Sequence, residues 1–171
     1  MAALLVAGCS SSPPTAPGKG APKVSKAFAL LEATKGNQAT GQVQFSQEGD
    51  RVLVIATVHD LAPNSLHGFH IHANGDCSSG DGMSAGGHFN PDNRPHGAPD
   101  APHHAGDMPQ LKADANGVAS ATFVMRGVTV TAGDRSVVGK GLIVHQDPDD
   151  YTTQPTGNSG ARIACGIVVL R

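Results

Sequence analysis

Two histidines that could bind a metal ion stand one residue apart in the apolar segment 68-GFHIH-72. In a β-strand, residues i and i+2 point to the same face, so the imidazoles of His70 and His72 are expected to leave the strand together. Two ring nitrogens on one rigid face would form half of a metal site. The pair alone is a weak signal, because a half-buried strand can carry two histidines for other reasons.

Further residues of metal-binding type follow in the next loop. These residues are His88, His96, His104 and Asp107. Three imidazoles and one carboxylate suit zinc, which proteins usually bind with four ligands in a tetrahedral arrangement. His145 ends the apolar segment 142-LIVH-145 and could reach the first pair from a neighbouring strand. A site made only of imidazoles, with no glutamate as general base, suits copper at least as well as zinc.

The composition also draws attention to the histidines. The chain has 171 residues, enough for one domain with a core, and 9 of them are histidines although only 15% are charged. Metal binding is a common reason for such an excess. The net charge of -2 at pH 7 argues against nucleic acid as a partner.

Segments typical of β-strands, separated by turn residues, make up most of the chain. We predict strands at residues 23–34, 40–47, 51–60, 65–72, 110–114, 117–126, 136–145 and 161–171. Two long polar loops, from Ala73 to Asp107 and from Gln146 to Gly160, interrupt this pattern. Loops of that length inside a compact domain are usually functional. About eight strands with two such loops predict an all-β antiparallel barrel or sandwich.

Residues 1–9 are interpreted as the remnant of a bacterial lipoprotein signal. Small residues precede the cysteine in 6-VAGC-9, as at a site where cleavage leaves Cys9 free for lipid attachment. The apolar run is short and no Lys or Arg precedes Cys9, so we expect the true start to lie upstream or the signal to be truncated. The alternative is a frayed terminus with an incidental cysteine. Residues 10–22 are predicted to be a disordered Ser/Pro/Gly tether, and residues 23–171 the folded domain.

Two further cysteines remain if Cys9 is lipidated. An exported chain usually joins two such cysteines, so Cys77 and Cys165 are expected to form a disulfide. The alternative, two buried free thiols, fits a cytosolic protein better.

Several motifs resemble those of the copper–zinc superoxide dismutases. They are 68-GFHIH-72, 86-GGHFNP-91, 104-HAGD-107, 139-GKGLIVH-145 and 157-GNSGARIACG-166. The motifs occur in the family's order, and the resemblance covers nearly all of residues 23–171. It implies an eight-stranded antiparallel Greek-key β-barrel with two long functional loops, a relative of the immunoglobulin sandwich.

The resemblance implies two metal sites that share one residue. The copper ligands are expected to be His70, His72, His88 and His145. The zinc ligands are expected to be His88, His96, His104 and Asp107. Each subunit would therefore hold one copper and one zinc, with the His88 imidazole bridging them.

Other residues gain a role only through the resemblance. Arg162 is expected to hold the substrate anion beside copper and, together with His88, to be catalytic. Asp149 is expected to link a copper ligand to a zinc ligand, and Thr156 to narrow the substrate channel. The cysteine pair matches the family's intrasubunit disulfide.

The implied function is the dismutation of superoxide to O2 and H2O2 by a copper that is alternately reduced and oxidised. The N-terminal motif predicts an exported enzyme in the cell envelope or periplasm, or on the outer cell surface. There it would protect the extracytoplasmic space from superoxide and touch the membrane only through a lipid on Cys9. A homodimer is one option, but the sequence leaves the oligomeric state open, because bacterial members differ from eukaryotic ones in their interface and no decisive apolar patch stands out.

Three other interpretations are weaker. A metal buffer of the same fold would not need the anion-binding Arg162. A zinc hydrolase would need an open zinc position with a general base nearby, whereas three histidines and an aspartate close the zinc shell and no H-E-x-x-H motif occurs. A purely structural sandwich would not account for seven residues of ligand type in the family's order.

The segment 151-YTTQP-155 departs from the well-known eukaryotic members, which carry charged residues, including a lysine, in this loop. Here it has no charge, and Pro155 takes the lysine-like place. Electrostatic steering of superoxide must therefore come from elsewhere. His59 and His103 are expected to have no metal-binding role. His67 is expected to be a structural histidine that holds a loop carbonyl.

Overall fold

The computed structural model describes residues 25–171. The N-terminal interpretations, a signal remnant at residues 1–9 with a lipid on Cys9 and a tether at residues 10–22, lie outside the described residues. Within the described part of the chain, no helix has the length and apolar character needed to cross a membrane.

Ten β-strands and one short 3₁₀ helix make up the regular structure of residues 25–171. The strands are β1 (Lys26–Ala33), β2 (Thr40–Glu48), β3 (Arg51–His59), β4 (Leu66–His67), β5 (Phe69–His72), β6 (Leu111–Lys112), β7 (Ala119–Arg126), β8 (Gly141–His145), β9 (Arg162–Ile167) and β10 (Val169–Leu170). The 3₁₀ helix is Met83–Ala85, in the first long loop. The all-β fold class predicted from the sequence is confirmed.

Eight of the strands form one curled antiparallel sheet. Its order is β5-β8-β9-β1-β2-β3-β7, and β10 pairs with β1. Strands β4 and β6 form a separate two-stranded ribbon. Strand β4 leads into β5 through Gly68, and a bridge between Ala113 and Ala119 joins the chain after β6 to β7. This connectivity is consistent with the predicted Greek-key barrel.

The core fills the inside of the sheet because apolar residues occupy every second position of the long strands. The inward residues of β3 are Val52, Val54, Ala56 and Val58, and all four are buried. The positions between them are half-buried or exposed. The two-residue period of a strand therefore places one face of β3 in the core, as the sequence predicts.

One predicted strand, residues 65–72, is divided into β4 and β5 at Gly68. The N–H of Gly68 donates to the Asp147 carbonyl at 2.9 Å, and its carbonyl accepts from the His145 N–H at 2.8 Å. A side chain at position 68 would collide with Ser159. The second long loop therefore closes against the strand at this glycine.

Two other predicted strands also differ from the structure. Residues 161–171 are divided at Val168, whose N–H donates to the Lys140 carbonyl at 3.0 Å. The prediction of a strand over residues 136–145 is wrong in its first half, because β8 begins only at Gly141. The backbone before β8 turns through Gly139, whose φ of +79° suits glycine.

Both predicted long loops are present, between β5 and β6 and between β8 and β9. The first loop is tied to β9 by the Cys77–Cys165 disulfide, which spans 88 residues of sequence. The predicted disulfide is confirmed. It fixes the start of the first loop against the strand that carries Arg162.

Candidate metal centre

The first long loop is fixed along the outer edge of β5 by backbone pairing. The N–H of Phe89 donates to the Ile71 carbonyl at 2.8 Å, and the N–H of Ile71 donates to the Gly106 carbonyl at 2.9 Å. A β-bridge also pairs His72 with His88. Because these contacts are backbone contacts, they set the loop side chains in register with the histidines of β5.

Four buried histidines form the first cluster. They are His70, His72, His88 and His145, and one ring nitrogen of each lies within 4.8 Å of the others. The Nε2 atoms of His72 and His145 are 3.4 Å apart. Metal–nitrogen bonds of about 2 Å at tetrahedral angles separate two ligand nitrogens by about 3.3 Å. The spacing therefore suits two ligands of one ion.

Hydrogen bonds to the far side of two rings decide which nitrogen is free to face this cluster. His72 Nδ1 donates to the Gly86 carbonyl at 2.8 Å. His70 Nε2 donates to Asp149 Oδ2 at 2.6 Å. His72 Nε2 and His70 Nδ1 are thereby left with lone pairs, which is how partner groups usually orient histidine ligands.

Three buried histidines and a buried aspartate form the second cluster. They are His88, His96, His104 and Asp107. His88 Nδ1 lies 2.7 Å from Asp107 Oδ1 and 3.3 Å from His104 Nδ1. His96 Nδ1 lies 3.1 Å from Asp107 Oδ2. The four side chains therefore direct three ring nitrogens and a carboxylate oxygen toward a common point.

The His88 ring belongs to both clusters. Its Nδ1 lies beside Asp107, whereas its Nε2 is buried on the other side of the ring. The ring centroid is 4.1 Å from that of His70 in the first cluster and 5.3 Å from that of His96 in the second. One imidazole thus stands between two sets of ligand atoms.

Asp149 connects the clusters from the opposite side. Its Oδ2 accepts from His70 Nε2 at 2.6 Å and its Oδ1 accepts from His96 Nε2 at 2.9 Å. The carboxylate is fixed in turn by the Tyr151 N–H, which donates to Oδ1 at 2.7 Å. The Asp149 N–H donates to Gln110 Oε1 at 3.1 Å. One buried residue of the second long loop therefore orients one histidine of each cluster.

Burial keeps three imidazoles of the first cluster neutral. It lowers the pKa of His72 and His145 well below the ordinary histidine value. Burial also lowers the pKa of His70 to about 4, although the Asp149 carboxylate opposes this shift. At neutral pH these rings therefore keep the lone pairs that a metal ion needs.

The carboxylates of Asp107 and Asp149, unlike these imidazoles, are charged at neutral pH. Burial alone would raise the pKa of Asp107 and Asp149, but the histidine rings in contact with each hold both pKa values well below the ordinary range. Burial alone would likewise lower the pKa of His96. The neighbouring carboxylates of Asp107 and Asp149 outweigh it and raise the pKa of His96 to about 9.

Three buried ring nitrogens lack an aligned hydrogen-bond partner within residues 25–171. They are His70 Nδ1, His88 Nε2 and His96 Nδ1. Leaving a buried polar atom unpaired costs about 1–3 kcal/mol, and a bound metal ion would remove that cost. All three atoms belong to the two clusters. The four-imidazole set fits copper, and the set of three imidazoles and one carboxylate fits zinc.

Arg162 is half-buried at the start of β9 and is linked to the first cluster. Its Nη1 and Nη2 donate to the carbonyls of Gly82 and Gly86, each at 2.7 Å. The Gly86 carbonyl also accepts from His72 Nδ1. Burial lowers the pKa of Arg162, with Asp81 opposing the shift, but a guanidinium remains charged in proteins. The structure therefore holds a fixed positive charge near the histidines.

The remaining histidines lie outside both clusters. His67 is buried, and its Nδ1 donates to the His145 carbonyl at 2.8 Å. It therefore holds a backbone carbonyl, but one at the end of β8 and not in a loop. His59 is exposed at the end of β3. His103 donates through Nδ1 to the neighbouring His104 carbonyl at 2.6 Å.

Two contributors to the site were not identified from the sequence. Gly86 acts through its carbonyl, which accepts from both Arg162 and His72, and Gln110 holds the backbone of Asp149. Neither is a residue type that signals metal chemistry; the glycine pair before His88 predicts only a turn. The role of Thr156, which is half-buried in the second long loop, stays a prediction.

Comparison with known proteins gives a consistent result. Residues 39–168 match the sequence model of the copper/zinc superoxide dismutase family. The chain is 41% identical over 156 residues to superoxide dismutase [Cu-Zn] 2 of Brassica juncea, a match that covers 86% of this chain and 99% of the plant protein. Among solved structures it is similar to the crystal structure of the clock protein EA4, with a TM-score of 0.78 and 31% identity. That match covers 91% of this chain and 100% of the other.

The charge on His96 generates a prediction for the metal-free protein. The pKa of His96 in the folded protein is about 9, above the ordinary value of 6.5. Protonation of His96 therefore stabilises the fold fully below pH 6.5, and this stabilisation is lost as the pH rises through about 9. A metal ion that binds Nδ1 must displace the proton, so metal affinity should rise with pH toward 9. An NMR titration of the His96 ring in metal-free protein checks this. A His96 pKa at or below 6.5 would contradict it.

Proposed function

The chain belongs to the copper/zinc superoxide dismutase family, and we propose that its two clusters of ligand-type residues are the copper and zinc sites of an exported bacterial member. It is a superoxide dismutase of the copper–zinc type, so the overall reaction is 2 O2⁻ + 2 H⁺ → O2 + H2O2. The first cluster, His70, His72, His88 and His145, is assigned to copper. The second, His88, His96, His104 and Asp107, is assigned to zinc.

The observation that carries this assignment is the position of the His88 ring. Its Nδ1 lies 2.7 Å from Asp107, and its buried Nε2 has no aligned hydrogen-bond partner among the described residues. A histidine kept for packing would use both nitrogens in hydrogen bonds to protein or water. A ring with one nitrogen in each cluster can instead bind a cation on both sides.

Two residues of the chain are assigned separate roles in the reaction. Arg162 would bind the substrate anion, and His88 would hold and transfer a proton. Copper, when bound, supplies the one-electron chemistry, and zinc orders the loop around it. His88 Nε2 is the buried atom at which a proton can be held and then passed to the second superoxide. Asp149 keeps the rings of His70 and His96 oriented through their outer nitrogens while this happens.

Arg162 is assigned to binding the superoxide anion. Two of its five N–H donors go to the carbonyls of Gly82 and Gly86, which fixes the guanidinium and leaves donors for an anion. A guanidinium held this way suits a small diatomic anion. A protein that only buffered copper would have no use for such a group, so this contact favours turnover over storage.

We also propose that the enzyme works outside the cytoplasm, held at a membrane by a lipid on Cys9. The motif 6-VAGC-9 supports the lipid, and the Cys77–Cys165 disulfide is compatible with an oxidising compartment. In that place the enzyme would protect the cell envelope from superoxide.

The enzyme is further proposed to form a homodimer through an apolar outer face of β1, β9 and β10. Leu30 and Val169 are 57% and 50% exposed, and Ile167 is 39% exposed. Phe28 lies opposite Val169 in the β1–β10 pairing, which makes the face continuous. An exposed apolar surface of this kind is typical of a protein–protein contact.

Replacing His145 with Ala should abolish dismutation because it removes a ligand of the copper cluster alone. Zinc content measured by mass spectrometry should stay at one per chain, since no second-cluster ligand changes. His59→Ala, a change at an exposed histidine outside both clusters, is the control and should keep full activity. Activity in the His145→Ala enzyme would contradict the copper assignment.

Replacing Arg162 with Ala should lower kcat/KM for superoxide by roughly 10- to 100-fold, because a charged hydrogen-bond partner is worth about 1.5–3 kcal/mol. Inhibition by small anions should weaken in parallel while both metals stay bound. Arg126→Ala, which removes an exposed arginine paired with Asp50 at 3.4 Å, controls for loss of charge. An unchanged kcat/KM would remove Arg162 from anion binding.

Replacing Cys9 with Ser should move the protein from the membrane fraction to the soluble fraction of a bacterial host that expresses its natural gene. Mass spectrometry of the N-terminal peptide should show that the lipid is lost. The Ser10→Ala variant should remain membrane-bound. Equal distribution of wild type and Cys9→Ser would contradict the lipid anchor.

Replacing Leu30 with Glu should convert the dimer to a monomer, because the charge would be buried in the apolar contact. Analytical ultracentrifugation at micromolar concentration measures this. Ile55→Glu is a matched control, since Ile55 is 44% exposed on β3, outside the proposed face. A monomeric wild type, or a Leu30→Glu dimer, would contradict the proposal.

A further inference from the structure

We propose that Gln154 is a positioning residue that clasps the backbone of His96 and so holds this histidine in the second cluster. The proposal rests on the assignment of that cluster as a metal site. Gln154 lies in the segment 151–155, which has no charged residue, unlike the same loop of the well-known eukaryotic members. The proposal assigns this segment a structural role.

The clasp consists of two reciprocal hydrogen bonds. The His96 N–H donates to Gln154 Oε1 at 2.9 Å, and Gln154 Nε2 donates to the His96 carbonyl at 2.9 Å. The side-chain amide therefore pairs with the backbone of His96 much as a neighbouring strand would. Gln154 Nε2 also donates to the Thr152 carbonyl at 3.3 Å, which orients the amide.

His96 needs such support because of where it lies in the chain. It stands between Pro95 and Gly97 in a part of the first long loop without regular secondary structure. Its backbone groups consequently have no strand partner within residues 25–171. The amide of Gln154 supplies both a donor and an acceptor there, from a residue 58 positions away.

The same loop that clasps the backbone also holds the ring. Asp149 Oδ1 accepts from His96 Nε2 at 2.9 Å, so the second long loop contacts His96 at its N–H, its carbonyl and its ring. His96 Nδ1, buried without an aligned partner, is the atom left for a metal ion. Fixing three points of the residue determines where that nitrogen lies.

We therefore expect the metal affinity of the second cluster to depend on the contact between His96 and Gln154 of the second long loop. Loss of the clasp should leave the barrel folded but widen the range of positions that His96 explores. Groups that orient a metal ligand typically alter metal affinity about 10- to 100-fold, and the exposure of Gln154 to water places the expected effect near the lower value.

The test uses the full chain, stripped of metal, with cobalt(II) as the spectroscopic probe of the second cluster. The His104→Ala variant identifies the part of the cobalt absorption that comes from this cluster. Gln154→Met keeps the length of the side chain but removes its amide. Gln154→Glu keeps an acceptor for the His96 N–H and loses the donor to the carbonyl.

We expect Gln154→Met to weaken cobalt binding about tenfold and to change the cobalt absorption, with Gln154→Glu between it and wild type. Copper affinity at the first cluster should be unchanged. Gln47→Met is the matched control, because Gln47 also bonds backbone groups through its amide, at Gly49, Arg51 and Val130.

Wild-type cobalt affinity and absorption in Gln154→Met would overturn the clasp alone. An equal loss in Gln47→Met would also overturn it, because the effect would then be one of general stability. If wild type showed no cobalt absorption that depends on His104, the assignment of the second cluster would fail, and the clasp with it.

Discussion

The rest of the site depends on one constraint, which is that the buried ring of His88 faces two clusters of ligand atoms at once. Its Nδ1 lies 2.7 Å from Asp107, and its Nε2 is buried without an aligned partner. Such a ring is costly unless a cation binds it, because unpaired buried polar atoms are destabilising. The residues around His88 must therefore provide neutral imidazole nitrogens on the side of Nε2 and the negative carboxylate of Asp107 on the side of Nδ1.

The fold meets this demand by combining rigid strands with loops that are held from several directions. Strands β5 and β8 present His70, His72 and His145 from paired backbones. The first long loop lies along the edge of β5, and the disulfide ties its start to β9. Asp149 reaches from the second loop to one histidine of each cluster. Neither long loop contains a β-strand that could fix its position. The side chains of both loops are therefore positioned by these contacts with the sheet and with each other.

The sequence predicts much of this arrangement, for identifiable reasons. The two-residue period predicts the buried face of β3 and places His70 and His72 together. The pairing of Arg162 and Asp149 with the clusters came only from the family resemblance, because a lone arginine or an Asp-Asp pair is usually solvated. The break at Gly68 and the roles of Gly86 and Gln154 were not predictable, since they depend on backbone carbonyls and amides that meet only in the folded chain.

The assignment of two metal sites that share His88 is tested most directly by anomalous X-ray diffraction from oxidised crystals of the copper- and zinc-loaded protein, with data collected at the absorption edge of each metal. We expect a copper peak among His70, His72, His88 and His145. We expect a zinc peak among His88, His96, His104 and Asp107, with the His88 ring in contact with both ions while the copper is oxidised. A single metal peak, or a His88 ring in contact with only one ion in oxidised crystals, would contradict the assignment.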